Sequence, residues 1–222
     1  FSKSNQFTFK GRADIEGAHT KYFFTDGKGD KWLFKPSEEF RAYGDEVAYR
    51  IGRQIDPDTI EVRFIELDVP GRGKIKGSIQ KWRTDLAKKF DFRDAVVENL
   101  SSLELEQLQR EHVINWLISN HDAHGKQFLR LKDGQVKGID LGQLFKFLGD
   151  DHLSIDYHPN KAFGEQEPFF NTVMRAWRDR KIEMDLQATY KYISRFESIT
   201  DDAYTELLKP YAERRFNGKP LK

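Results

Sequence analysis

The chain has 222 residues, no cysteine, a net charge of +1 and 33% charged residues, with a mean hydropathy of -0.74. Near-neutral charge removes any general attraction to nucleic acid or to an anionic membrane, and the lack of thiols excludes disulfides and thiolate metal clusters. Its 30 aromatic residues can fill the core of one large domain or two lobes, and no apolar run nears the ~20 residues that would cross a bilayer, so no membrane insertion is expected. The missing thiols fit a reducing, cytoplasmic setting, and a start at Phe1 without methionine or signal pattern reads as a domain of a larger or delivered protein.

Residues 6 to 82 read mostly as strands. The segments QFTFK, KYFFT, KWLFK, IEVRFIEL and IKGSIQKW alternate or cluster β-branched and aromatic residues. TDGKGD, between the second and third of these, carries the glycines and aspartates of a hairpin turn. One helix interrupts the strands over 39–55, with Val47, Ala48 and Ile51 on one stripe and Asp56-Pro57 closing it. Gly71 to Gly73 marks the turn between the last two strands.

Helical spacing dominates after Trp82. Leu103, Leu105, Leu108, Val113, Ile114, Leu117 and Ile118 make an apolar stripe over 102–119, with Ser101 and Ser102 as possible caps. Trp82, Trp116 and Trp177 read as core residues and not as ligand platforms. A short hairpin, QFLRL and QVKGID around Asp133-Gly134, precedes three further helices at 169–179, 185–196 and 201–215. The class is α+β, divided into 1–82 and 83–222, without internal repeats.

The long helix delivers the chain to HDAHGKQ, and the hairpin then leads to IDLG. Phosphoryl transfer from ATP needs one carboxylate beside the attacking hydroxyl and another holding Mg²⁺ against the phosphates. Asp122 and Asp140 suit those two tasks. The histidines allow a different enzyme, since His121, Asp122, His124 and His112 contain the ligand types of a zinc hydrolase. That cluster lacks the pair of histidines on one helical face that zinc sites commonly use, and it leaves the first half of the chain unexplained. A serine hydrolase is disfavoured because no G-x-S-x-G elbow is present.

The order DAHGKQ followed by IDLG resembles the catalytic loop and metal-binding segment of the HipA-like and phosphatidylinositol 3/4-kinase-like branch of the protein-kinase superfamily. Gln127 stands where that branch carries an asparagine. The first half of the chain resembles the branch in the same order. Gly17, His19 and Lys21, in GAHTK, match its phosphate-covering loop; Lys35, in WLFKP, matches its ATP-binding lysine; Glu46 matches the glutamate that pairs with that lysine. Gln80 and Trp82, in GSIQKW, fall where the hinge between lobes and its adenine contacts would lie.

The resemblance covers roughly residues 12 to 150. It implies a two-lobed protein-kinase-like fold, with a small antiparallel-sheet lobe and a mainly helical one, that uses ATP and Mg²⁺. Asp122 would orient the acceptor hydroxyl and take its proton, Lys126 would neutralise charge on the transferred group, and Gln127 and Asp140 would hold the metal. The acceptor implied is Ser or Thr of a protein or peptide. A small-molecule acceptor stays open, while a lipid headgroup is disfavoured by the lack of a basic amphipathic helix. Gln127 is one methylene longer than asparagine and GAHTK holds a single glycine, which keeps open a pseudokinase that binds nucleotide or a protein without turnover. Residues 157–160, YHPN, read equally as a substrate-binding segment and as an ordinary turn.

Overall fold

The computed structural model describes residues 6–15, 20–87, 92–145, 153–160, 162 and 165–216. The chain divides into two compact units, the first of Phe1–Arg50, Ile60–Thr84 and Asp201–Lys222, the second of Ile51–Thr59 and Asp85–Thr200. Splitting the sequence at 82/83 leaves the last helix with the second half, whereas compactness joins it to the first unit. No helix among the described residues is long and apolar enough to cross a membrane.

The first unit is built on a five-stranded antiparallel sheet of order β1-β2-β3-β5-β4. Its strands are β1 (Phe7–Ala13), β2 (Lys21–Asp26), β3 (Lys31–Pro36), β4 (Val62–Val69) and β5 (Gly73–Lys81), with helix α1 (Glu39–Ile55) between β3 and β4. The β2–β3 turn closes as its composition predicts. The Asp26 carboxylate accepts from the amides of Lys28 and Asp30 at 2.9 and 3.0 Å, and from the Trp32 indole at 3.0 Å.

Strand alternation sorts this sheet into two chemically different faces. Tyr22, Phe24, Trp32, Phe34, Ile65, Leu67, Val69 and Ile79 form one buried cluster. Burying a side chain such as Phe34, which is fully buried, contributes about 1.5–3 kcal/mol. The intervening residues, Lys21, Phe23, Leu33, Lys35, Ser78 and Gln80, lie on the other face. Helix α1 packs there, with Tyr43 stacked on Phe64 at 4.1 Å between ring centroids. Val47, Ala48 and Ile51 are buried as the stripe predicts.

The second unit contains α2 (Ser102–Leu117), the hairpin β6 (Phe128–Arg130) and β7 (Val136–Gly138), α3 (Phe169–Arg178) and α4 (Gln187–Glu197). Helix α5 (Asp201–Arg215) belongs to the first unit. A capping box opens α2: the Ser101 hydroxyl accepts from the Glu104 amide at 3.1 Å, and the Glu104 carboxylate accepts from the Ser101 amide at 2.9 Å. Leu105, Leu108, Phe128, Val136, Phe169, Phe170 and Val173 share the main core of this unit, and Ile55, Val113 and Ile114 pack with Ala188 and Tyr192 of α4.

Helix α2 departs from the predicted stripe. Leu103 and Trp116 are 40% and 62% exposed, whereas Gln107, Gln109, Arg110, Glu111 and Asn115 are buried. The helix is surrounded on most sides, so its interior positions follow the partners available to polar groups as well as hydrophobicity. Trp116 is therefore a surface residue, contrary to its reading as core.

Candidate active site

Asp122 sits in a loop whose entry is set by two buried amides. Ser119 ends α2 in the left-handed region, at φ 48°, and turns the chain out of the helix. The Asn120 side chain, fully buried, donates to Asn115 Oδ1 at 2.7 Å, and its own oxygen accepts from the Asp122 amide at 3.2 Å. This local Asx-type bond fixes the backbone at Asp122. Neither asparagine stood out in the sequence; the available signal was two amides five positions apart across a helix end.

His124 is the centre of the loop. Its Nδ1 accepts from the Lys126 amide at 3.2 Å, which leaves the proton on Nε2, and Nε2 lies 3.8 Å from Asp122 Oδ1. Burial holds the imidazole below its ordinary pKa. The Asp122 carboxylate opposes that shift, Arg93 and Lys126 reinforce it, and Asp140 opposes it more weakly. His124 is thus a neutral group presenting an N–H toward Asp122. Arg93 had not been singled out by sequence. It reaches this loop because the turn Phe92–Asp94 packs on Gly125, where an added Cβ would lie 2.4 Å from the Arg93 amide nitrogen.

The hairpin β6–β7 returns the second aspartate to the same loop. The Ile139 amide donates to the Gln127 carbonyl at 2.8 Å, so Asp140 follows directly from a residue bonded to Gln127. Asp140 is exposed and has φ 58°, a conformation uncommon for a residue with a side chain and one that recurs at functional sites. The Gln127 amide nitrogen points to Asp122 Oδ2 at 3.4 Å, which leaves its amide oxygen as an acceptor. Asp140 and Gln127 therefore offer hard oxygen donors, and such a sparse protein set suits Mg²⁺, which takes much of its coordination from phosphates and water. Lys126 is exposed beside them.

The zinc alternative loses a member. His112 stacks on Phe170 at 4.2 Å, and burial pushes its pKa down to about 4. Among the described residues no three His, Cys, Asp or Glu side chains are grouped to hold a metal.

In the first unit, Lys21, Lys35 and Gln80 share the sheet face that α1 covers, with Lys35 paired to Ser78 across β3 and β5. Glu46 is occupied elsewhere: it pairs with Arg50 and accepts from the Phe64 amide at 2.8 Å, satisfying the free edge of β4. One residue earlier on the helix, Asp45 accepts from the Ser78 hydroxyl, and so lies at the strand row that carries Lys35.

The main-chain donors around Gln80 and Trp82 are also engaged. Lys81 donates to the Glu61 carbonyl at 2.8 Å and Trp82 to that of Lys31 at 2.9 Å. The Trp82 ring packs edge-on against Phe23 at 5.1 Å. These two amides complete the sheet. Gly17 and His19 lie outside the described residues.

Two other regions are accounted for structurally. A concavity of about 660 Å³ in the first unit includes Arg72, Lys74 and Lys76. Its lysines face carboxylates, with Lys74 opposite Asp68, and Lys76 opposite Glu66 and 2.6 Å from Glu39. At residues 157–160, Glu165 accepts from the Tyr157 hydroxyl at 2.6 Å and from the Asn160 amide at 2.8 Å.

No family model matches the sequence, and no curated protein matches it. Among solved structures the chain is similar to the Helicobacter pylori proinflammatory kinase CtkA, with a TM-score of 0.51 and 12% identity over 93% of this chain and 91% of that one. It is also similar to the Golgi casein kinase, with a TM-score of 0.50 and 12% identity over 93% of this chain and 67% of that one. At such identity the likeness concerns the fold. The chain has an α+β, protein-kinase-like fold, in which one unit carries the five-stranded sheet with its helix and the other is mainly helical.

Proposed function

We propose that the protein is an ATP- and Mg²⁺-dependent phosphotransferase of the HipA-like kind, acting on Ser or Thr of a protein or peptide. The observation that carries this reading is the loop from Asn120 to Gln127 with the hairpin that returns Asp140 to it, so that two carboxylates act on one neutral histidine. The kinase-like fold supports it. The names of the two similar structures, both kinases and one a casein kinase, favour a protein acceptor over a small molecule or a lipid headgroup.

Asp122 would orient the acceptor hydroxyl and accept its proton as the acceptor oxygen bonds to the γ-phosphorus and ADP leaves. The His124 N–H, held neutral by burial, would hold the carboxylate in its rotamer. Lys126 would balance charge on the phosphoryl group in flight. Asp140 and the Gln127 amide oxygen would hold Mg²⁺, which when bound neutralises the phosphates and orients them. Lys35 would hold the α/β-phosphates with Asp45, in place of Glu46, positioning its ammonium; Lys21, on the same face, would help. The adenine would take main-chain contacts beyond Trp82, with Gln80 behind it.

The bond from Gln127 to Asp122 favours one second reading, a nucleotide-binding module in which the base is restrained and turnover is lost. Transfer from radiolabelled ATP to casein, and nucleotide binding by calorimetry, separate the two. Asp122→Asn is expected to keep nucleotide affinity while transfer falls by about 10²–10⁴-fold, and Asp140→Asn to lose the Mg²⁺-dependent part of binding. Binding without turnover in the wild type would favour the module. No nucleotide binding at all would end both readings.

A further inference from the structure

We propose that the buried ion network of Asp56, Arg110, Glu111 and Lys137 is a register lock for the hairpin β6–β7, and that Lys137 is a positioning residue for Asp140. The inference rests on the reading of Asp140 as a metal-holding residue.

Each residue of β7 touches this network. Lys137 is 1% exposed, with Nζ 2.6 Å from Asp56 Oδ2 and 3.2 Å from Asp58 Oδ2. The Val136 carbonyl accepts from Arg110 Nη2 at 2.7 Å, and that same nitrogen lies 2.9 Å from Glu111 Oε1 and 3.3 Å from Asp56 Oδ2. Gly138 abuts the other oxygen of Glu111, which would be 2.6 Å from an added Cβ. The chain then passes through Ile139, bonded to Gln127, and reaches Asp140.

Stability alone is a poor reason for such an arrangement. Desolvating four charges is costly, and well-packed apolar residues of similar volume often serve as well or better. A directional polar contact offers what apolar packing does not, a single allowed alignment. The hairpin needs one, because each strand has only three residues and an isolated two-stranded ribbon is marginal. A slip of one residue would turn Lys137 and every following side chain to the opposite face, breaking the placement of Asp140 beside Gln127. With β7 gripped at 136, 137 and 138, that slip would strand charges in the interior. The cost of misregister is thus far greater than hydrogen bonding in so short a hairpin would impose.

The test uses the full chain and reads metal affinity directly, by electron paramagnetic resonance of Mn²⁺ with a non-hydrolysable ATP analogue. Lys137→Met alone leaves Asp56 buried without its closest cation, so the informative variant is Lys137→Met with Asp56→Leu, which removes the pair together. It is expected to keep the wild-type circular dichroism and a cooperative melt while Mn²⁺ affinity falls about tenfold or more. A folded double variant with wild-type affinity overturns the lock.

Should that variant not fold, Gly138→Ala keeps every charge yet displaces Glu111, and carries the same expectation and the same refutation. In the wild type, exchange of the Ile139 amide is expected to require the same opening as the buried amides of α2; exchange by local fraying would overturn the proposal without any variant. A wild type that takes up no Mn²⁺ overturns the metal-site reading, and this inference with it. Wild-type uptake that the variants leave unchanged overturns the inference alone.

Discussion

One step along α1 separates Asp45 from Glu46, and a rotation of about 100° between them gives the two carboxylates different tasks. Asp45 meets Ser78 on the row of Lys35, while Glu46 satisfies the edge amide of Phe64. In steady-state kinetics Asp45→Asn is expected to raise KM for ATP or lower kcat by at least about tenfold. Glu46→Gln is expected to leave both within about twofold while costing about 1–3 kcal/mol in urea unfolding, the penalty for weakening a hydrogen bond to a charged group. His112 makes a prediction about pH. Its folded pKa, about 4, lies below the ordinary value of 6.5, so the unfolded chain binds the extra proton and stability falls as pH drops through that interval. Between pH 7 and pH 5 the loss from this group should be about 2 kcal/mol, and His112→Phe should remove that share of the acid sensitivity.

The elements themselves were largely legible. Strands in the first unit could be recognised because aromatic residues alternate with polar ones, and α1 because its apolar residues repeat at helical spacing before Asp56-Pro57. The hairpin β6–β7 was found from Asp133-Gly134, although its strands are shorter than their composition suggests. What failed was the buried face of α2: Trp116 points to solvent while Arg110 and Glu111 lie inside as a pair, because Arg110 also meets Asp56 and the Val136 carbonyl, both remote in sequence. Gly125 was equally silent. It admits the turn Phe92–Asp94 against the loop that carries Asp122, and a methyl group there would meet the Arg93 backbone at 2.4 Å. Gly125→Ala should therefore destabilise by about 1–3 kcal/mol, and reduce transfer more than this loss of folded protein explains, measured by thermal melts alongside activity.

Across the whole chain, the last helix belongs to the first unit. Arg214 of α5 donates to Glu39 and to the Tyr43 hydroxyl, each at 3.0 Å, and its guanidinium lies 3.7 Å from the centre of the Tyr43 ring. Removing residues 201–222 should leave the start of α1 without these partners. The truncated chain is expected to melt several degrees lower, and Arg214→Ala to reproduce about 1–2 kcal/mol of that loss, as checked by thermal and urea unfolding. Such a partnership, 175 residues apart, is invisible to periodicity.

Local order was written in the chain: where strands alternate, where helices begin and stop, and which two aspartates stand on either side of a short hairpin. Those features depend on neighbours within a few positions, and turn chemistry and side-chain period encode them directly. The pairing of carboxylates with cations, the exposure of Trp116, the engagement of the Lys81 and Trp82 amides and the burial of Lys137 emerged only in three dimensions. Each depends on contacts between distant segments, where a rotation of one helical residue or a slip of one strand position changes which groups meet.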